Sequence, residues 1–326
     1  MKKTCLIIAI CLIVGFIGFK EKTHKTREAL RHSLIARIDK AGEMLSNDKF
    51  LCSNSNTAYV AVYDTLKKEK IKIFKMEIVE LKHNRKMLKN SKIPSIVLKG
   101  LSASFFRQHH SNYQLLLLKN KACIGEEMKD FSWTPFSKGI NSIELSDAGR
   151  EYLKNSINEA FEELSKQGVK SRANKNQLVA ETIPSKIPTL LFLTENAHFG
   201  STKRTLVFLG ANRERAFVNV KSKRNAFGPV QMIFSTYKMM RKKYPDAQLP
   251  DNFFAGVLDY GTAIKSMILL CDWNLRYLDN IPKSEQGREL IAFYHSGTEI
   301  EKLGLIGQDY LAKCDSIRIN LVANNL

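Results

Sequence analysis

The chain has 326 residues, 44% of them apolar, and carries a net charge of +19. That apolar fraction excludes a globally disordered chain, and the length gives room for about two domains with real cores. The charge demands an anionic neighbour, which nucleic acid, an anionic membrane leaflet or an acidic wall polymer would each supply.

The N-terminus narrows that choice. Met1-Lys2-Lys3-Thr4 is a short positive start, Cys5 to Phe19 is an unbroken apolar stretch, and Lys20-Glu21-Lys22 closes it. Residues 1–19 therefore read as a bacterial export signal or an uncleaved inner-membrane anchor. The positive-inside tendency then places the remainder on the periplasmic side of the envelope, with no nucleic-acid partner. Cys52, Cys123, Cys271 and Cys314 would meet an oxidising compartment; three pairings are possible, and the most local is Cys52–Cys123 with Cys271–Cys314. There is no CxxC and no His/Cys spacing suited to zinc, so neither a metal nor a cofactor is expected.

Between Thr26 and Leu45 the residues Leu30, Leu34, Ile38, Ala41 and Leu45 recur at helical spacing, predicting an amphipathic helix. From Cys52 to about Ile143 the texture turns to β-formers, in Thr57–Tyr63, Ile71–Leu81 and Tyr113–Leu118. Residues 20–145 are thus expected to form a small α+β module of short strands, with no assigned activity. His109-His110 reads as surface decoration. Ser146-Asp147 is expected to cap a helix that runs through Leu153, Ile157, Phe161 and Leu164 to Gly168. Beyond Gln177 nearly everything is helix-like, so 146–326 is read as one helical domain.

That second domain holds three features in order. The first is an apolar run from Ile187 to Thr194 that ends in Glu195-Asn196-Ala197-His198-Phe199. Pro188 suits a first helical turn, and an ionisable group closing so apolar a helix is costly unless paired, solvated or neutralised by a raised pKa. A glutamate held that way is what a general acid requires, although a helix-end glutamate facing water is the commoner case. The second is the loop from Ser222 through Asn225, Ala226, Gly228 and Gln231 into a helix. The third is Ala292-Phe293-Tyr294-His295-Ser296-Gly297, a helix ending in a glycine-terminated turn.

Taken together, these features resemble the lytic transglycosylases of bacterial cell walls, whose catalytic domain is similar to goose-type lysozyme. That family carries a Glu-Ser pair followed by Phe, a Ser…Gly-Ala-x-Gly-Leu-Met-Gln loop and an Ala-Tyr-Asn-Ala-Gly turn. Glu195 and Phe199 match the first, with Asn196 for serine. Ser222, Ala226, Gly228 and Gln231 match the second, with Asn225 for its first glycine. Ala292, Tyr294 and Gly297 match the third, with Phe293 inserted and His295-Ser296 for Asn-Ala. Asn252 and Gly256 resemble the family's Asn-x-x-x-Gly segment. The likeness covers about residues 177–326.

The resemblance implies a mainly α chain: a lysozyme-like all-α catalytic domain behind the α+β module and an N-terminal membrane or signal helix. It implies cleavage of the MurNAc–GlcNAc bond of peptidoglycan with 1,6-anhydromuramyl ends. Glu195 would act first as acid and then as base, its pKa raised toward ~6 by burial against Leu191, Phe192 and Phe199. No second carboxylate is required; Glu214, Asp246 and Asp259 are candidates for one without a supporting motif. Ser222, Gly228, Gln231, Tyr294, His295 and Phe199 would bind substrate, with Tyr294 also orienting Glu195. Asn225 tolerates the positive φ of the glycine that it replaces. Lys221, Lys223 and Arg224 flank the loop and could meet peptide-stem carboxylates. The partners implied are peptidoglycan glycan strands, the inner membrane and proteins of an envelope complex. Two alternatives stand beside the enzyme: a peptidoglycan-binding pseudoenzyme, and a membrane-anchored interaction protein.

Overall fold

The computed structural model describes residues 34–66, 70–82, 85–105, 112–137, 139–140, 142–197 and 201–323. The expected signal over 1–19, the start of the first helix, His109-His110, His198 and Phe199 lie outside the described residues. Helix α1 (34–45) buries Leu34, Ile38, Ala41 and Leu45, the stripe that its spacing predicts. No helix among the described residues is long and apolar enough to cross a membrane.

The expected mainly α class is wrong. Half of the structure is helix, but 22% is strand, and most of that strand forms one curled, seven-stranded antiparallel sheet. Its strands are β1 (Thr57–Asp64), β2 (Ile71–Leu81), β3 (Arg85–Lys89), β4 (Ile96–Lys99), β5 (Ser102–Phe105), β6 (Tyr113–Ile124) and β7 (Glu127–Trp133), in the spatial order β5-β4-β3-β2-β1-β6-β7. β1, β2 and the first half of β6 announce themselves by composition. β3, β4, β5 and β7 are short or polar, and pairing makes them strands: Glu127, Met128 and Lys129 align with Ile124, Cys123 and Ala122. The curl brings edge strand β5 up to the chain just beyond β7. Ser102 bridges Phe136, Ala103 N–H donates to Phe136 O at 2.9 Å, and Phe136 N–H donates to Leu101 O at 2.6 Å. Covering that edge removes a site for unwanted strand pairing.

Side chains alternate between two cores. Ala58, Val60 and Val62 join Met76, Ile78, Leu88, Ile96, Leu98, Phe131 and Trp133 from four other strands, an inner face. Tyr59, Ala61, Leu116 and Leu117 face the other way, onto α1. A bulge at Ala61/Val62 shifts the pairing to β6, so Leu115 and Leu118 both reach the inner core although three residues apart.

Helix α2 (Ile143–Lys166) is capped four residues before the expected Ser146. Ser142 has the extended backbone a cap needs, and its Oγ accepts Leu145 N–H at 3.1 Å; Ser146 instead lies on the buried face. Gly168, at φ +64°, ends the helix as expected. α2 crosses α5 (Thr202–Asn212) at Gly149 and Gly210, where a Cβ on either would run into the other helix's backbone, at Leu206 O and Leu145 O. Asn212, at the end of α5, grips the chain after β7: its Oδ1 accepts Thr134 N–H at 2.6 Å and its Nδ2 donates to Thr134 O at 3.2 Å.

The remaining helices are α3 (Val179–Thr182), α4 (Lys186–Glu195), α6 (Phe234–Lys243), α7 (Phe253–Leu258), α8 (Tyr260–Leu275), α9 (Lys283–Ser296) and α10 (Leu305–Ala323), with a two-stranded hairpin of β8 (Ala226–Phe227) and β9 (Met232–Ile233). α8 is buried over most of its length, and its Asp272 accepts from Ser171 Oγ, Arg172 N, Thr182 Oγ1 and Tyr244 Oη at 2.6–2.9 Å. The expected disulfides are absent: Cys52, Cys123, Cys271 and Cys314 are all free. Cys52 is buried while Cys123 is exposed on β6, and Cys271 and Cys314 sit in the core with thiols pushed up by burial. Nearness in sequence did not become nearness of sulfurs.

Candidate active site

α4 buries Ile187, Leu190, Leu191, Phe192, Leu193 and Thr194, and so is apolar nearly all round, as a core helix is. Phe192 packs against Phe217 and Tyr260, each at 6.0 Å between ring centroids. Glu195 is its last residue. There the carboxyl group meets the negative end of the helix dipole as well as apolar surroundings, and both disfavour its charge. Desolvation pushes its pKa up to about 7, against the opposing pull of a Tyr310 hydrogen bond and the Lys313 charge. Part of the residue's surface stays open, although its carboxylate is closely surrounded.

Tyr310 and Lys313 come from α10. Tyr310, Lys313 and Cys314 share one helical face, and that face lies on the end of α4. Tyr310 Oη donates to Glu195 Oε1 at 2.7 Å, a length typical of a charge-assisted bond. Burial raises the pKa of Tyr310 and of Tyr294, and the Glu195 charge raises both further. Tyr294 is therefore at the site, but its hydroxyl donates to Val230 O at 2.8 Å rather than to the carboxylate. His295 stacks on the Tyr310 ring, 4.0 Å apart and tilted by 13°. Burial, with the Arg224 and Lys313 charges, lowers its pKa and favours neutral imidazole.

The glycine loop is tied to the same point. Asn196, fully buried beside Glu195, donates from Nδ2 to Phe192 O at 2.8 Å and to Pro229 O at 2.7 Å. Asn196 thus fastens the loop to α4. Gly228 has φ +75°, and a Cβ there would collide with Val257 O. Only glycine fits. Asn225 takes φ +58°, as expected of the residue that replaces a glycine. Gln231 holds φ +50°, and its Nε2 donates to Gly228 O at 2.8 Å and Val220 O at 3.3 Å, inside the loop. Ser222 Oγ accepts the N–H groups of Arg224 and Ala226, and so shapes the turn. Gly256 sits under the Tyr237 ring, which leaves no space for a side chain, and Asn252 caps α7.

Thus Glu195, Tyr294 and His295 are brought together, and the Gly228–Gln231 loop is fastened to them by backbone carbonyls. Asp259 is occupied as the cap of α8, at 2.8 Å from Thr262 N, and Glu214 lies in the turn after α5 with its charge on Tyr152 and Arg215. Tyr310 and Lys313 escaped sequence reasoning. The spacing of Tyr310, Cys314 and Ile317 marks a buried face, but nothing in it points to α4. No cluster of three or more His, Cys, Asp or Glu side chains suited to a metal occurs among the described residues.

The chain matches no family model, no curated protein and no solved structure. The expected lysozyme-like fold therefore has no structural neighbour behind it.

Proposed function

We propose that the protein is a murein lytic transglycosylase of the bacterial envelope, acting on the MurNAc–GlcNAc bond of peptidoglycan. One observation carries the reading: a glutamic acid on the end of a core helix, desolvated to a pKa of about 7 and held by a tyrosine hydroxyl. Such a group is half protonated at neutral pH and can both give and take a proton. It would protonate the leaving glycosidic oxygen as acid. As base it would then take the proton of the muramyl 6-hydroxyl as that oxygen closes on the anomeric carbon, leaving a 1,6-anhydro end. Tyr310 would fix the carboxylate's direction, and neutral His295 would back the tyrosine ring. The +19 charge suits an anionic wall, and export through residues 1–19 would bring the chain to it.

A second reading, a peptidoglycan-binding pseudoenzyme, is favoured by Gln231, whose amide hydrogens are engaged by carbonyls of its own loop. Incubating the whole chain with purified peptidoglycan and reading the products by mass spectrometry distinguishes them. Anhydromuramyl ends are expected, falling by roughly 10²–10⁴-fold in Glu195→Gln, as removal of a general acid–base does. Reducing ends would make it a hydrolase. Binding without release would make it a binder.

A further inference from the structure

The C-terminal ends of α6 and α8 meet the segment after α2 at a surface of cations and aromatic rings, none of them part of the Glu195 site. Arg172 donates from Nε and Nη2 to Lys243 O, at 3.0 and 2.7 Å. Lys243 Nζ lies 4.7 Å from the centre of the Trp273 ring, and the guanidinium carbon of Arg276 lies 3.2 Å from the same centre. Arg276 also donates from Nε to Trp273 O at 3.0 Å and stands over the Tyr277 ring. Buried Asp272 fixes the group, accepting from Arg172 N and from the hydroxyl of Tyr244, the residue after Lys243. Among the described residues, none of the three cations pairs with a carboxylate. Lys170, Lys175 and Lys242 join them, giving six cations against two exposed acids, Asp246 and Asp279, in 170–177, 242–248 and 273–280. Every residue of those three segments is described. A helix C-terminus attracts a cation, which accounts for the two arginines. It does not account for Lys243, or for a Tyr277 ring left 55% exposed beside them.

We propose that this surface docks on an anionic phospholipid leaflet, its cations taking headgroup phosphates while Trp273 and Tyr277 lie at the interface. The inference stands apart from the transglycosylase reading. Tryptophan and tyrosine beside lysine and arginine suit a membrane–water boundary, where a ring's apolar body and polar edge are both satisfied. The forked N–H groups of Arg172 are already taken by Lys243 O, so the donors left over are single ones. Separate phosphates spread across a surface match single donors better than one carboxylate gripped by a fork. Six cations against two acids are drawn to such a surface, each charge adding to the attraction. Residues 1–19, an apolar stretch closed by lysine, would tether the chain to a leaflet and raise the effective concentration of the surface there.

The chain's own fluorescence tests this. It has two tryptophans, and Trp133 is buried in the sheet, so in the whole chain carrying Trp133→Phe the emission of Trp273 reports on the surface alone. The difference between the parent and Trp273→Phe gives the same reading without touching the core. The probes are vesicles of phosphatidylcholine alone, or of phosphatidylcholine and phosphatidylglycerol in equal parts, each with a lipid spin-labelled near its headgroup. Quenching of Trp273 is expected only with phosphatidylglycerol, whatever residues 1–19 do, and added salt should weaken it. Lys243→Gln and Arg276→Gln should each weaken it about fivefold, the scale of one charge at an anionic surface. Melting curves that match the parent exclude misfolding, and the Lys243 ammonium, which meets only a ring, is the safer of the two to remove. Equal quenching by phosphatidylcholine alone, or indifference to both substitutions, overturns the proposal. So does a soluble poly(glycerol phosphate) that alters Trp273 emission when vesicles leave it unquenched, which would make this a wall-polymer site.

Discussion

A carboxyl group on the last residue of a core helix meets two unfavourable fields at once, desolvation and the negative end of the helix, and Glu195 meets both. Two neighbours oppose them. The Tyr310 hydroxyl and the Lys313 ammonium each favour the charged form, and the balance falls near neutrality, at about 7. The sign of a substitution follows. Tyr310→Phe removes a donor that stabilises the carboxylate, so the pKa of Glu195 should rise above about 7, and the alkaline limb of cleavage, where the acid is lost, should move to higher pH. A carboxyl-carbon NMR titration beside a pH–rate profile checks this; an unmoved or lowered pKa refutes it. Glu195 stood out in the sequence as a charge closing an apolar run, but its surroundings alone favoured a glutamate facing water; the motifs downstream singled it out. Its partner did not stand out. Tyr310 lies 115 residues downstream, and only the packing of α10 on α4 brings the two together.

At the scale of elements, the crossing of α2 and α5 sets how closely the helical part meets the sheet. α5 carries Asn212 to Thr134, and Leu145, Val207 and Ala211 share a core with α1 and β1. The crossing has no slack. Gly149→Ala puts a methyl group against Leu206 O, and overpacking of this kind costs about 1–3 kcal/mol or more. A fall in denaturation midpoint of that order is expected, while Gly304→Ala, with open space around its Cβ, should stay near the parent. Equal effects of the two would mean that the helices simply part to admit the methyl. The helices were readable from periodicity and from Gly168 and Gly297 at their ends, but the exchange of Ser146 for Ser142 as cap was not, since a cap is defined by backbone angles. β7 was unreadable for a related reason: residues such as Glu127, Lys129 and Asp130 become a strand by pairing with β6.

For the whole molecule, the thiols decide what kind of stability the chain has. All four described cysteines are free, and Cys52, its pKa pushed to about 11 by burial, is an unreactive side chain packed at Lys119 O. Cohesion therefore comes from the two apolar cores and from ties such as Asp272, not from cross-links. The melting temperature should be the same with and without a reductant, and a fall on reduction would show a disulfide that the fold does not form. By itself the sequence determined what is local: the stripe of α1, the helices of the second half, a loop whose Asn225 tolerates positive φ, and the conspicuous Glu195. These follow from spacing, side-chain shape and the cost of charge in apolar surroundings. Only the tertiary structure decided the seven-stranded curl, the free thiols and the Tyr310 bond. Each depends on residues far apart in the chain meeting in space, and the energy of such a meeting belongs to the pair, not to either segment alone.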